Sequence, residues 1–182
     1  MSKNILVFCG SQPGLESQFE QLAMELGKAI AKRNWVLVYG GAKVGLMGIL
    51  ADSVLNNRAK VIGIIPHFLS EKEVEHSGIT SLIYVNSMHE RKQMMYEKSD
   101  AVVVLPGGYG TMDEMFEFLT WTQLCLHEKP IVLINANGYY DGLLTQINHM
   151  ESTGFISKST RKLLSITSDI DEAILEIERS FF

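Results

Sequence analysis

Leu105-Pro106-Gly107-Gly108-Tyr109-Gly110-Thr111-Met112-Asp113-Glu114 decides the reading of this chain. Before it stands Ala101-Val102-Val103-Val104, a short β-branched run of the kind that forms a strand buried on both faces. After it, Met112 to Leu126 carries apolar residues at helical spacing. A strand, a glycine-rich turn and a helix start together make an anion site. The glycines bring backbone N–H groups close to a phosphate, and the helix N-terminus adds unpaired donors and the positive end of its dipole. Thr111 is expected to cap the helix, and Thr111-x-x-Glu114 fits a capping box. Glu114 therefore has two readings, a helix cap or a functional carboxylate.

Two other phosphate loops are excluded. A Walker loop needs a Lys-Ser/Thr pair after its last glycine, where Thr111-Met112 stands. The dinucleotide fingerprint needs a third glycine opening the helix, where Asp113 stands. What is left is a compact loop for one phosphate with a carboxylate one turn into the helix. That points to a mononucleotide or a sugar phosphate.

The rest of the composition narrows the class. A chain of 182 residues suits one domain, residues 1–182, large enough to bury about 70% of its unfolded surface. Its 46% hydrophobic and 20% charged residues are ordinary for a globular protein. A net charge of −5 without a basic tract argues against a nucleic-acid partner. Cys9 and Cys125 stand far apart and outside any CxxC spacing, so no disulfide is expected. The five histidines show neither i,i+4 pairing nor cysteine partners, and no metal or other cofactor is expected. Met1-Ser2-Lys3-Asn4 runs straight into a strand, leaving no room for a signal peptide, and no apolar run reaches membrane-span length. A cytoplasmic protein without a membrane partner is the expectation.

Strand and helix patterns alternate along the chain. Ile5 to Cys9 is the first strand, followed by Gly10-Ser11-Gln12-Pro13-Gly14, the position where an open α/β sheet binds ligands. Ser11 can donate to a phosphate or ribose, or bond its own backbone as a turn residue. Phe19 to Ala31 is amphipathic, Trp35 to Tyr39 is a strand, and Gly40-Gly41-Ala42-Lys43-Val44-Gly45-Leu46-Met47-Gly48 is a second glycine turn into a helix ending near Asn56. Val61 to Ile65 is a third strand, and from His67 to Thr80 the pattern is lost. The polar run Ser70-Glu71-Lys72-Glu73-Val74-Glu75 is expected to be mobile; Glu73 or Glu75 either reaches a base or belongs to a solvated charge run.

After a strand at Leu82 to Val85, Ser87-x-x-Glu90 is another capping box. At 100° per residue Arg91 falls between Met94 and the pair Met88 and Met95. Either its stem snorkels to water, or an anion, Glu114 or a phosphate, holds it inward. Lys92 lies at the edge of the same face. On the central helix, Met112, Met115, Phe116, Leu119 and Leu126 form a stripe suited to the sheet, and Phe118, Trp121 and Cys125 form a second. Two apolar sides call for a second partner, so the Phe118-Trp121-Cys125 side is expected to be buried in a homodimer. Ile131 to Ile134, Tyr140 to Thr153, Leu163 to Ile166 and a helix from Asp169 complete the pattern. The fold expected is a doubly wound α/β parallel sheet of about seven strands, with helices on both faces.

Pro106-Gly107-Gly108-Tyr109-Gly110-Thr111-Met112-Asp113-Glu114 resembles the PGGxGTxxE signature of the LOG (LONELY GUY) family of cytokinin riboside 5′-monophosphate phosphoribohydrolases. Met88-His89-Glu90-Arg91-Lys92 resembles the family's second signature, and Tyr39 to Gly48 its first glycine turn, with Ala42 where many members have a third glycine. The resemblance runs from Ile5 to about Gly142. It implies a Rossmann-like fold, a homodimer with active sites near the subunit boundary, and hydrolysis of the N-glycosidic bond of an adenine or N6-modified adenine nucleoside 5′-monophosphate. By position it makes Arg91 and Glu114 the catalytic pair. Gly107, Gly108, Gly110 and Thr111 would hold the phosphate. Met88 and Lys92 would line the site, with Tyr109, Ser11 and Gly41 as further substrate contacts. A non-catalytic nucleotide or molybdenum-cofactor carrier of the same fold is the alternative, disfavoured by the presence of both Arg91 and Glu114. No lysine stands in a recognisable pyridoxal-phosphate context, which disfavours the older label of lysine decarboxylase.

Overall fold

All seven runs expected to be strands pair in parallel into one sheet, in the order β4-β3-β2-β1-β5-β6-β7. The computed structural model describes residues 2–70 and 75–181. Its strands are β1 (Asn4–Phe8), β2 (Val36–Tyr39), β3 (Val61–Pro66), β4 (Ser81–Val85), β5 (Ala101–Val104), β6 (Ile131–Ile134) and β7 (Leu164–Thr167). Between them run α1 (Ser17–Lys32), α2 (Gly45–Asn56), α3 (His67–Ser70), α4 (Met88–Glu97), α5 (Tyr109–Gln123), α6 (Asp141–Ser152), α7 (Lys158–Arg161) and the terminal α8 (Ile170–Ser180). The order reverses between β1 and β5: successive strands are added outward from β1 on one side, then from β5 on the other. At that reversal the loops after β1 and β5 diverge and open a crevice at the carboxyl edge.

Helices cover both faces. On one, Leu26 and Ile30 of α1, Leu50 of α2 and Ile174 and Ile177 of α8 pack onto Ile5, Leu37 and Val103. On the other, Met95 of α4, Met115 and Phe118 of α5 and Ile147 of α6 pack onto Leu6, Phe8, Val102 and Val104. β5 and β6 are buried at every position, which is why their sequence is a continuous aliphatic run rather than an alternating one.

Local chemistry explains the helix starts. Ser87 Oγ accepts the Glu90 N–H (3.1 Å), the first half of the expected capping box, while Glu90 Oε2 reaches one residue further back, to the Asn86 N–H (2.8 Å). Asp169 caps α8 through the Glu172 N–H (2.9 Å). The start of α5 differs from expectation. Its N-cap is Gly108 and its first residue Tyr109, so Thr111 is the third residue and caps nothing. A glycine in extended geometry (φ −92°, ψ −151°) suffices to begin the helix, and the Thr111 side chain is buried instead. Glu114 is then the sixth helical residue, beyond reach of the cap.

The faces of α5 also differ from expectation. Thr111, Met115 and Phe118 face the sheet, and the Phe8 and Phe118 rings meet edge to face at 5.1 Å. Phe116 and Leu119 lie beside Ile147 and Met150 of α6, and Trp121 packs on Tyr96 of α4 (5.8 Å). The surface expected to be a dimer face is therefore corrected. Phe118 is fully buried within its own chain, and only Cys125, in a left-handed turn (φ 57°), is exposed. The short α3, α7 and a 3-10 turn at Ala136–Gly138 were not expected, being too short to carry a period. Glu73 lies outside the described residues. Glu75 pairs through its backbone with Ala42 and through its carboxylate with the Tyr84 hydroxyl (2.8 Å). Among the described residues no helix is long and apolar enough to cross a membrane.

His127, just after α5, is buried, and its Nδ1 accepts the Lys129 N–H (3.2 Å). Burial, reinforced by the Lys129 charge, holds its pKa below the ordinary histidine value. The folded state thus binds fewer protons than the unfolded one through the histidine range. The stabilisation is complete above a pH of about 6.5 and is lost as pH falls below it. Melting temperature should drop between pH 7.5 and 5.5, and His127→Gln should shrink that drop; an unchanged drop would remove His127 from the explanation.

Candidate active site

The loops after β1 and β5 meet at the crevice through short contacts. The Gly10 N–H donates to Pro106 O (3.0 Å), and the Leu46 N–H at the start of α2 donates to Gly10 O (3.1 Å). Within the glycine loop every carbonyl from Leu105 to Gly108 accepts a bond. Tyr140 Oη donates to Leu105 O (2.6 Å), Tyr139 Oη to Gly107 O (2.8 Å) and the Met112 N–H to Gly108 O (3.1 Å). With these four carbonyls engaged, the loop is chemically suited to offering donors to an anion. Gly107 is packed so closely on Thr111 and Gly10 that a Cβ would not fit, whereas Gly108 and Gly110 face open space.

Beside this loop lies a cavity of about 170 Å³. Gly108, Tyr109, Gly110, Thr111 and Glu114 of α5 form one wall, and Cys9, Ser11, Met47 and Arg91 form the rest. Residues of the β1 loop and of α4, 80 or more positions apart in the chain, are thus brought to one carboxylate. Arg91 is buried, and its inward orientation has a source that sequence reasoning missed. Nε donates to Ile64 O (3.1 Å), within β3, and Nη2 to Gly40 O (3.0 Å), just after β2. Nη1 lies 3.8 Å from Met88 Sδ. The guanidinium is fixed by main-chain dipoles, which orient it without neutralising its charge.

Gly40 makes room for it: a Cβ there would run into Arg91 Nη2. Gly40→Ala is expected to displace the guanidinium and lower activity by roughly tenfold or more, as misplacement of a positioned group does. Steady-state rates on the substrate proposed below check it, and a parental rate would mean that Arg91 tolerates the crowding.

Cys9 was not singled out as a site residue, yet its thiol lines the cavity. Burial, with a further contribution from the Glu114 carboxylate, pushes its pKa far above the usual thiol range. It is a neutral thiol here, not a thiolate nucleophile.

Three expected contacts, Met88, Gly41 and Lys92, are not among the residues that line this cavity. Gly41 is buried in the turn after β2, where its carbonyl accepts the His76 N–H (2.9 Å). Lys92 points at α5, with Nζ 2.8 Å from Asp113 Oδ2 and 2.7 Å from Glu117 Oε2. Gly107 borders an adjoining pocket of about 210 Å³, walled by Pro13, Phe19, Leu46 and Tyr139 and joined to the first through Ser11 and Gly108.

Residues 47–177 match a family model described as "Possible lysine decarboxylase". The chain is 48% identical over 176 residues to a cytokinin riboside 5′-monophosphate phosphoribohydrolase of Rhodococcoides fascians, covering 96% of this chain and 89% of that protein. The chain belongs to the LONELY GUY family. A member of the same name from Arabidopsis thaliana is 41% identical, over 97% of this chain and 83% of that one. Among solved structures, the molybdenum cofactor binding protein of Rippkaea orientalis superposes with a TM-score of 0.75 over 100% of this chain and 99% of that one, at 23% identity. The molybdenum cofactor carrier protein of Chlamydomonas reinhardtii does so at 0.75 and 20%, over 100% and 99%. These two share the LONELY GUY fold, and at such identity they speak to fold alone. Among the described residues no lysine lines the cavity that holds Arg91 and Glu114.

Proposed function

We propose that this protein hydrolyses the N-glycosidic bond of an adenine or N6-modified adenine nucleoside 5′-monophosphate, releasing the free base and ribose 5-phosphate. The observation that carries the reading is the convergence of Arg91 and Glu114 on one cavity beside a glycine-opened helix start. The 5′-phosphate takes the donors at Gly108 to Thr111, which supplies binding energy remote from the bond that breaks. Cleavage passes through an oxocarbenium-like ribosyl cation. The Glu114 carboxylate stabilises that cation or takes a proton from the attacking water, whose oxygen bonds C1′ as the base leaves with the bonding pair and gains a proton. Arg91, held by two carbonyls, sets a fixed positive charge that favours the ionised carboxylate and the departing base.

The proposal includes a cytoplasmic homodimer with the active site near the subunit boundary. Exposed Tyr109, which also lines the cavity, supports a second copy near the active site. Light scattering at micromolar concentration reads the mass.

Incubation of the purified protein with AMP and with isopentenyl-AMP, followed by assay of free base, tests the activity. Release from either nucleotide supports it, and the ratio gives the preferred base. Release from neither, with tight binding of both, would favour a carrier of this fold.

A further inference from the structure

We propose that Lys92 is a positioning residue, tying α4 to α5 at the active-site end and so setting the separation of Arg91 and Glu114. The inference rests on the hydrolase reading above, and it replaces direct substrate contact as the role of this side chain. Lys92 follows Arg91 on α4, and Asp113 precedes Glu114 on α5. At 100° per residue, Arg91 can reach carbonyls within β3 and just after β2 while Lys92 leaves the same helix sideways, toward its neighbour. Asp113 and Glu117 are i and i+4 on α5, so their carboxylates share one face of that helix. Both lie within 2.8 Å of the same ammonium.

Burial gives this link its effect. The Lys92 side chain is 13% exposed and the Glu117 side chain 25%, so the pair is screened less than a surface bridge. Burial opposes the Lys92 charge, but its bonds to Asp113 and Glu117 outweigh that effect and its pKa is raised. The ammonium stays charged across the neutral range. At their other ends the two helices are joined differently: Tyr96 of α4 packs against Phe118 (6.3 Å) and Trp121 (5.8 Å) of α5. Of these two links, the one at Lys92 flanks the residues that wall the cavity. Without it α5 is free to pivot on the aromatic contact, which carries Glu114 away from a guanidinium fixed on the sheet.

The test is steady-state kinetics on Lys92→Met, which keeps the stem and loses the charge, beside Lys92→Arg, which can still bridge two carboxylates. Lys92→Met should lower kcat about 10–100-fold, the scale of a small misplacement of reacting groups, with KM for the nucleotide within about twofold. Lys92→Arg should restore most of the rate. Asp113→Asn with Glu117→Gln should reproduce the loss, and adding Lys92→Met to that pair should cost little more, since the three act as one unit. The paired variant also answers for Lys92→Met should the latter fail to fold. A parental kcat in Lys92→Met overturns the proposal. So does a raised KM at unchanged kcat, which would put Lys92 on the substrate. A parent protein that cleaves neither nucleotide overturns the hydrolase reading instead, and the two failures are told apart by that control.

Discussion

Glu114→Gln is expected to lower turnover about 10²–10⁴-fold, the worth of a positioned acid–base or charge-stabilising group, while the melting temperature stays almost unchanged. The structural half of this expectation follows from the start of α5. Had Thr111 been the N-cap, Glu114 would have closed a capping box, a role that glutamine also fills, so stability would be kept in either case. Gly108 is the N-cap, and Glu114 sits a full turn further along on the cavity wall. Glutamine keeps its shape and hydrogen-bonding reach but cannot become an anion. Nucleotide binding through the Gly108–Thr111 donors should survive, so calorimetry on the variant should give a dissociation constant near that of the parent. Free-base release at the parental rate would remove Glu114 from the chemistry.

Arg91→Met has the opposite signature: activity and stability are expected to fall together. The buried guanidinium satisfies two carbonyls, Gly40 O just after β2 and Ile64 O within β3. Methionine suits the surrounding Met88 and Met47 but leaves both acceptors unpaired, at about 1–3 kcal/mol for each buried group. Catalysis loses its fixed positive charge, for a further loss of roughly 10²-fold or more in kcat/KM. Arg91→Lys should recover little, because one ammonium on a different stem does not reproduce a planar donor aimed at two carbonyls. A double variant with Glu114→Gln should lose less than the product of the single losses, as groups that act together do. Thermal melts beside kinetics check both halves. A variant as stable as the parent would show that the two carbonyls find other donors.

The sheet was legible because its strands carry the two simplest signals, continuous aliphatic runs where both faces are buried and glycine turns at the carboxyl edge. The site was legible in parts. Arg91 among methionines left two readings open, a stem snorkelling to water or a cation held inward, and its burial decides for the second. Its partners were not legible: they are main-chain carbonyls within β3 and just after β2, and a carbonyl has no letter in the sequence. The glycine loop was read correctly as strand, turn and helix, but its cap was assigned to Thr111 because threonine is a good N-cap. Three glycines and a tyrosine upstream gave no side-chain marker, and the helix began earlier than expected. The faces of α5 were misjudged separately: Phe118 is buried and Phe116 is half-buried beside α6, because two apolar stripes on one helix do not say which of them meets the sheet. Lys92 was misplaced for a related reason: neighbours on a helix point 100° apart, so adjacency to Arg91 says little about a shared target. Tyr139 and Tyr140, which hold the loop carbonyls, sit after β6, and only tertiary structure brings them to Gly107 and Leu105.

The glycine start of α5 also links the enzyme's lifetime to its diet. A helix opened by Gly108 has no side chain of its own to close it, and on the reading proposed here the 5′-phosphate of the nucleotide serves as that closure. Any phosphate ester that binds there stabilises the native state by mass action, about 2.7 kcal/mol at a hundredfold excess over its dissociation constant. Ribose 5-phosphate, the product, carries the same group as the substrate, so turnover exchanges one closure for another. Starvation for nucleotides would then do more than idle the enzyme. It would raise the unfolded fraction available to proteolysis, and the cell's pool of the protein would follow the supply of the molecules it consumes.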